Sequence, residues 1–223
     1  MNKETNPPKL SRKEQERLQR RDEILKAARK FFLEKGFFNT TLDEIAQQSE
    51  FGKGTLYNYF ASKKELLWGL IEQFSHENIA IAERAIERQD GSTREKFRNY
   101  ARTVLSLGEE HEFFHMLIKE SHAMDTESFD ERMKVMMNDI VQIWQVIARP
   151  LQMEMDAGRI KQGDALQMAG LFDLMVRTFG MGTQRKHFPI KEVEQDTIIE
   201  LVISTFFDGV AIHSTKGPSV CAS

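Results

Sequence analysis

Residues 41–67 read TLDEIAQQSEFGKGTLYNYFASKKELL, and they decide the fold. Thr41 is followed three residues later by Glu44, the spacing of a capping box, in which hydroxyl and carboxylate each satisfy a free backbone N–H; a helix is predicted to begin at Thr41. Leu42, Ile45 and Ala46 give that helix a buried side. It must be short, because Ser49 to Gly54 holds two glycines within three residues and reads as a turn. The next segment, Thr55 to Phe60, is too brief to be helical without neighbours to lean on. Ser62 and Glu65 repeat the capping-box spacing, and Leu66, Leu67, Leu70, Ile71 and Phe74 then recur at helical intervals.

Upstream, Ile24, Ala28, Phe31 and Phe32 line one side of an amphipathic helix that Gly36 stops. Pro7 and Pro8 keep the first ten residues out of a helix, and the charged run from Ser11 to Arg21 reads as a flexible or fraying arm leading into it. Two short helices around a glycine turn, flanked by a longer helix on each side, are the parts of a helix-turn-helix. On a helical wheel Leu56 and Phe60 fall together toward the small core, which leaves Gly54, Thr55 and Asn58 opposite and Tyr57 and Tyr59 at the borders. A hydroxyl and an amide on such a face can meet base edges in a major groove, and phenols can reach phosphates. Gly54 permits close backbone approach, and Lys53, Lys63 and Lys64 offer charge to phosphates. Lysines alone would suit any solvated surface. Two exposed tyrosines on six residues are harder to explain without a partner.

Charge is distributed in keeping with that reading. Residues 1–64 hold 14 Lys and Arg against 9 Asp and Glu, while residues 65–223 hold 17 against 25, so an anionic partner is drawn to the first part only. With 223 residues, 40% of them hydrophobic, the chain can fill a proper core. No run of eighteen apolar residues occurs and the N-terminus lacks an apolar signal segment, which predicts a soluble, cytoplasmic protein with no membrane partner. The single cysteine, Cys221, lies in a small-residue tail, excluding an internal disulfide and a cysteine zinc cage.

Beyond Gly91 helical periodicity is almost unbroken. Helices are predicted at about 93–107, 111–123, 127–157, 164–181 and 192–213, separated by Gly108, the Asp125 region, Gly158 to Gly163 and Gly182 to Pro189. Arg149-Pro150 should kink or divide the third of them, and no strands are expected. The tail from Ser214 to Ser223 is expected to be disordered.

The stretch from Ile24 to Leu67 closely resembles the DNA-binding domain of the tetracycline-repressor (TetR) family. The residues that carry the likeness are Gly36-Phe37, Thr40-Thr41-Leu42, Ile45-Ala46, Lys53 to Phe60 and Ser62 to Leu66. One departure is Ser49-Glu50-Phe51-Gly52, with Glu50 where the family usually carries glycine. The resemblance implies an all-α fold of about nine helices, with a three-helix domain over 22–67 behind a basic arm and the start of the first helix (1–21), and a larger ligand-sensing and dimerisation domain over 68–213. It implies a homodimer on palindromic double-stranded operator DNA, released by a small-molecule effector, with no cofactor and no catalytic residue. By position, Thr41, Lys53, Thr55, Tyr57, Tyr59 and Lys63 resemble the family's operator contacts; Gly54 and Asn58 join them from the wheel.

A competing signal is His111-Glu112-Phe113-Phe114-His115, an H-E-x-x-H match of the kind that marks zinc peptidases. The two histidines share a helical face, but a catalytic zinc needs a third ligand and an open position. His122 lies ~10 Å further along the axis, too far to converge. Neither a zinc site nor a peptidase is therefore favoured; a helical protein-interaction module, which would show no salt-dependent DNA binding, is the other alternative. For an effector pocket, Tyr100, His115, Trp144 and Phe172 are the candidates, being amphipathic or aromatic side chains amid apolar ones. For a dimer seam the candidates are Ala165, Ala169, Gly170, Leu171, Leu174 and Met175 with Ile198, Leu201, Val202, Thr205, Phe206 and Val210, although burial within one chain would give a similar pattern.

Overall fold

Ser11 opens the first helix. In the computed structural model, its hydroxyl accepts the Glu14 N–H while the Glu14 carboxylate takes the Ser11 N–H at 2.8 Å, a capping box that starts α1 (Arg12–Lys35). Residues 12–21, expected as a flexible or fraying arm, are thus helical; the S-x-x-E spacing that marked the later helices was present here too. The structure describes residues 11–48, 51–124, 126–184 and 193–210. Several expectations fall outside these residues: those for 1–10, the Ser49-Glu50 half of the turn, the break at Asp125, the stretch up to Pro189, the disordered tail and Cys221.

Nine helices make up the described residues, and no strand occurs among them. After α1 come α2 (Leu42–Gln48), α3 (Lys53–Tyr59), α4 (Lys63–Ile86), α5 (Thr93–Ser106), α6 (Gly108–Met124), α7 (Thr126–Asp156), α8 (Ala165–Gln184) and α9 (Gln195–Val210). Gly36, at φ 78°, closes α1 in a conformation that suits glycine. Gly108 does not separate helices as expected: Leu107 caps α5, and the His111 N–H already bonds its carbonyl within α6. Pro150 does not divide α7. Ile147, Leu151 and Met155, buried at four-residue intervals around it, anchor the helix on both sides of the one missing N–H.

The chain divides into two units. The first comprises Met1–Gln73 with Met116–Thr126, and its core is built from Ile24, Leu25, Ala28 and Phe32 of α1, Ile45 of α2, Leu56 of α3 and Leu66 and Leu67 of α4, all buried. At Gly69 a Cβ would come within 2.9 Å of Phe60 and 3.0 Å of Leu25, so α1, the end of α3 and α4 approach closely through that glycine. The second unit comprises Phe74–His115 and Glu127–Ser223. There α5 packs on α8 and α9. Phe97 sits at the centre, with ring centroids 4.6 Å from Phe172, 5.2 Å from Phe207 and 6.0 Å from Phe206.

Most of the residues expected at a dimer seam are instead part of this second core. Ala169, Ile198, Val202 and Phe206 are buried, Ala165, Met175 and Val210 pack against them, and Gly170 lies under the Trp144 ring, which a Cβ would meet at 3.1 Å. Burial within one chain produces the same periodicity as burial between two, and here it accounts for the larger share. What remains outside is Leu171 and Leu174 of α8 with Leu201 and Thr205 of α9.

Candidate nucleic-acid interface and effector cavity

The α2–α3 arrangement follows from its caps and its two anchors. Thr41 N–H and Oγ1 both donate to Glu44 Oε2 (2.8 and 2.9 Å), and the Glu44 N–H returns to Thr41 Oγ1 at 3.2 Å. Lys35 bonds the same carboxylate at 3.0 Å and, with the amide and hydroxyl of Thr41, holds the Glu44 carboxyl down to about 2. Gly52 caps α3, its carbonyl accepting the N–H groups of Thr55 and Leu56. Leu56 and Phe60 are buried, which turns Lys53, Gly54, Tyr57 and Asn58 outward and leaves Thr55 and Tyr59 half-buried at the edges. The face differs from the one anticipated from the wheel at two positions: Tyr57, expected at a border, points outward at 48% exposure, and Thr55, expected opposite the core, is half-buried.

Besides Thr41, two of the expected contacts have partners of their own. Lys53 Nζ pairs with Asp43 at 2.6 Å, but both side chains are more than half exposed, so the pair is weak and a phosphate can displace the carboxylate. Lys63 differs: its Nζ donates to the carbonyls of Phe37 (2.7 Å), Phe38 (3.3 Å) and Thr40 (2.7 Å) and lies 4.3 Å from the Phe37 ring centroid. Those three bonds use the whole ammonium and fasten the α1–α2 connection to the start of α4. Nearby, Glu120 takes the Phe37 N–H; burial pushes its carboxyl up, against the pull of Lys63 and that amide. Nothing local in the sequence marks Lys63 as a fastener, because its partners lie more than twenty residues upstream. Lys63→Met is expected to lower the unfolding free energy by about 2 kcal/mol, the scale of losing hydrogen bonds from a charged donor. Urea unfolding measures this, and an unchanged midpoint would restore Lys63 to the free phosphate ligands.

The second unit contains a cavity of about 220 Å³, lined chiefly by Phe74, Phe114, Met136, Ile140, Ile143 and Leu174, with Asn78, His111, Asp173 and Arg177 as a polar wall. Phe74 and Phe114 stack with centroids 4.3 Å apart. Arg177 organises the wall: its Nε donates to both Asp173 oxygens (2.8 and 3.0 Å), Nη1 to Asn78 Oδ1 (3.1 Å) and to His111 Nε2 (2.9 Å), and Nη2 to the Tyr100 hydroxyl (3.1 Å). Asp173 also accepts from Tyr100 at 2.5 Å and from Trp144 Nε1 at 3.0 Å. Of the four pocket candidates, only His115 lines the cavity. Tyr100 and Trp144 hold the carboxylate of the polar wall, and Phe172 belongs to the core stack. Asp173 and Arg177 were missed, although two charges four residues apart within the apolar run of α8 are a signal for a buried pair.

His111 Nδ1 lies 2.9 Å from the Leu107 carbonyl, which fixes the proton there and leaves Nε2 to accept from Arg177. The nitrogen that a metal would take thus faces a guanidinium, so His111 of the H-E-x-x-H match is part of a polar network. Among the described residues no cluster of His, Cys, Asp or Glu could hold a metal ion.

Residues 24–68, which carry this helix-turn-helix, match the bacterial regulatory proteins of the tetR family. These residues thus carry a DNA-binding domain of the tetR family. Over 82 residues it is 33% identical to the HTH-type transcriptional regulator YfiR of Bacillus subtilis, a match spanning 37% of this chain and 39% of that protein. It is 36% identical over 67 residues to the regulator UidR of Escherichia coli, covering 30% and 34% of the two chains. The matched stretches thus span under half the length of these relatives. Solved structures share the fold more widely. A Mesorhizobium loti protein assigned to the TetR family superposes with a TM-score of 0.71 at 18% identity, covering 87% of this chain and 98% of the other. PfmR of Thermus thermophilus gives 0.61 at 19%, covering 83% and 97%.

The chain also carries a pH-sensitive group in its second unit. Burial, and then the Arg177 charge, hold His111 down to about 4, below its ordinary 6.5. The unfolded chain therefore binds this proton more readily, so stability is lost as pH falls from about 6.5 toward 4, by about 1.4 kcal/mol per pH unit. His111→Gln, which keeps an acceptor for Arg177, is expected to flatten that slope in urea titrations run between those values.

Proposed function

We propose that this chain regulates transcription as a homodimer, most simply as a repressor, gripping palindromic operator DNA with α3 and releasing it when a small molecule occupies the cavity of the second unit. The observation that carries the reading is the outward face of α3, where Lys53, Gly54, Tyr57 and Asn58 stand exposed while Leu56 and Phe60 hold the helix from beneath. In this reading Thr55, Tyr57, Asn58 and Tyr59 meet base edges and phosphates, Thr41 and Lys53 meet phosphates, and Lys63 fixes the turn that positions them. One such helix reads only a few base pairs, too few to stand out among nonspecific sites, and a twofold dimer doubles the site. The exposed Leu171, Leu174, Leu201 and Thr205 supply an apolar seam for that dimer. Leu174 also lines the cavity, so an occupant would bear on a residue of the seam itself. Release then follows from different effector affinity in the DNA-bound and free arrangements.

Selection of bound fragments from random duplex DNA, followed by gel shifts of the enriched sequence at rising salt, tests the reading. A palindromic consensus and an affinity that falls steeply with salt are expected. Absence of binding to any duplex at low ionic strength would overturn it, leaving a helical protein-interaction module.

A further inference from the structure

The polar wall of the cavity is charge-balanced before any ligand arrives, and this restricts what the cavity can take. Arg177 is neutralised by the two-point contact with Asp173, whose oxygens also accept from Tyr100 and Trp144 and have nothing left to offer. His111 is neutral with both ring nitrogens engaged. Of the five guanidinium N–H groups four are accounted for, and the second N–H on Nη2 has no acceptor among the described residues. Arg177 lines the cavity with a fifth of its side chain accessible, while Asp173 is sealed at 2%. The further charged group in the lining is Asp139, whose described contact is a long 3.4 Å bond from Gln142.

We infer that the effector is a compact, uncharged, mainly aromatic molecule carrying one hydrogen-bond acceptor, which takes the spare Arg177 N–H while its ring lies among Phe74, Phe114 and Met136. The inference rests on the reading of this cavity as the effector site. An anion would find no net positive charge, since Arg177 is already paired and Asp139 is present in the same lining. A cation would be drawn to Asp139, which is partly exposed and so screened by water, but among the three apolar side chains it would lie beside the guanidinium and leave its N–H unmet. A wholly apolar molecule would bury that N–H without an acceptor, a loss of about tenfold in affinity. The volume, about 220 Å³, lies below the roughly 300–1,000 Å³ of pockets for drug-sized ligands, which favours a single-ring skeleton.

Four probes of nearly equal shape separate these cases: acetophenone, ethylbenzene, benzoate and benzylammonium, each titrated into the full chain without DNA and followed by saturation-transfer NMR and thermal shift. Acetophenone is expected to bind about tenfold more tightly than ethylbenzene. Benzoate and benzylammonium are expected to be weaker still. Ile140→Phe, which fills the cavity with an apolar side chain, should keep the helical circular dichroism spectrum and abolish the acetophenone signal. Binding of benzoate or benzylammonium as tight as that of acetophenone, parity between ethylbenzene and acetophenone, no binding by any probe, or binding that survives Ile140→Phe would each overturn the proposal. Because DNA is absent from the titration, its failure is distinct from failure of operator binding, which the gel shift reads separately. A positive probe titration with no effect on the gel shift would overturn the effector role.

Discussion

Asp173→Ala is expected to lower the unfolding free energy by about 3–5 kcal/mol, the range for stripping the partner from a buried charge. Asp173 is 1% exposed and accepts from Arg177, Tyr100 and Trp144 together, so its loss leaves a guanidinium, a phenol and an indole N–H short of acceptors at once. Burial pushes the Tyr100 phenol up, so it meets Asp173 as a neutral donor. Urea unfolding followed by circular dichroism reads the loss. The double variant Asp173→Leu with Arg177→Met removes both charges and is expected to recover part of it, because what destabilises is the uncompensated charge more than the absent pair. A loss below about 1 kcal/mol from the single variant would show that the network does not anchor the second unit.

Gly54→Leu is expected to separate folding from DNA binding. A Cβ at Gly54 meets nothing within 4 Å, and the backbone there requires no glycine, so leucine should leave stability unchanged or raise it by roughly 0.5–1 kcal/mol through helix propensity. Nothing among the described residues needs this residue to be small. If α3 enters a groove, the new side chain meets DNA in both half-sites, and operator affinity is expected to fall about 100-fold or more, the scale of roughly 1–3 kcal/mol lost at each. Gel shifts with wild type and variant at equal salt check this. Full affinity in the variant would remove α3 from the interface and with it the proposed function.

The first unit was legible because its signals are local. Thr41 with Glu44, and Leu56 with Phe60, act over three or four residues, and both arrangements occur as expected. Ser11 with Glu14 carried the same signal and was overshadowed by the density of charge that follows it, although an exposed helix tolerates alternating charge well. The cavity was not legible in the same way. Tyr100 and Trp144 were expected to face a ligand because they are amphipathic side chains among apolar ones, but a buried carboxylate satisfies their polar ends equally well, and Asp173 lies 73 residues from Tyr100. His111 and His115 suggested zinc because the spacing places them on one side of a helix; the spacing says nothing of an arginine on α8. Lys63, read as a surface charge, turned inward for the same reason.

Most helix positions, the all-α class and the buried side of α3 were thus determined by the sequence itself, since caps, glycine stops and apolar periodicity act between residues a turn or two apart. The tertiary structure alone decided which apolar stripes close on their own chain, which lysine is a fastener, and which partners on α4, α5, α6 and α7 the buried Asp173–Arg177 pair of α8 meets. Those outcomes depend on side chains distant in sequence finding partners as water is excluded, and one-dimensional order carries no record of that pairing.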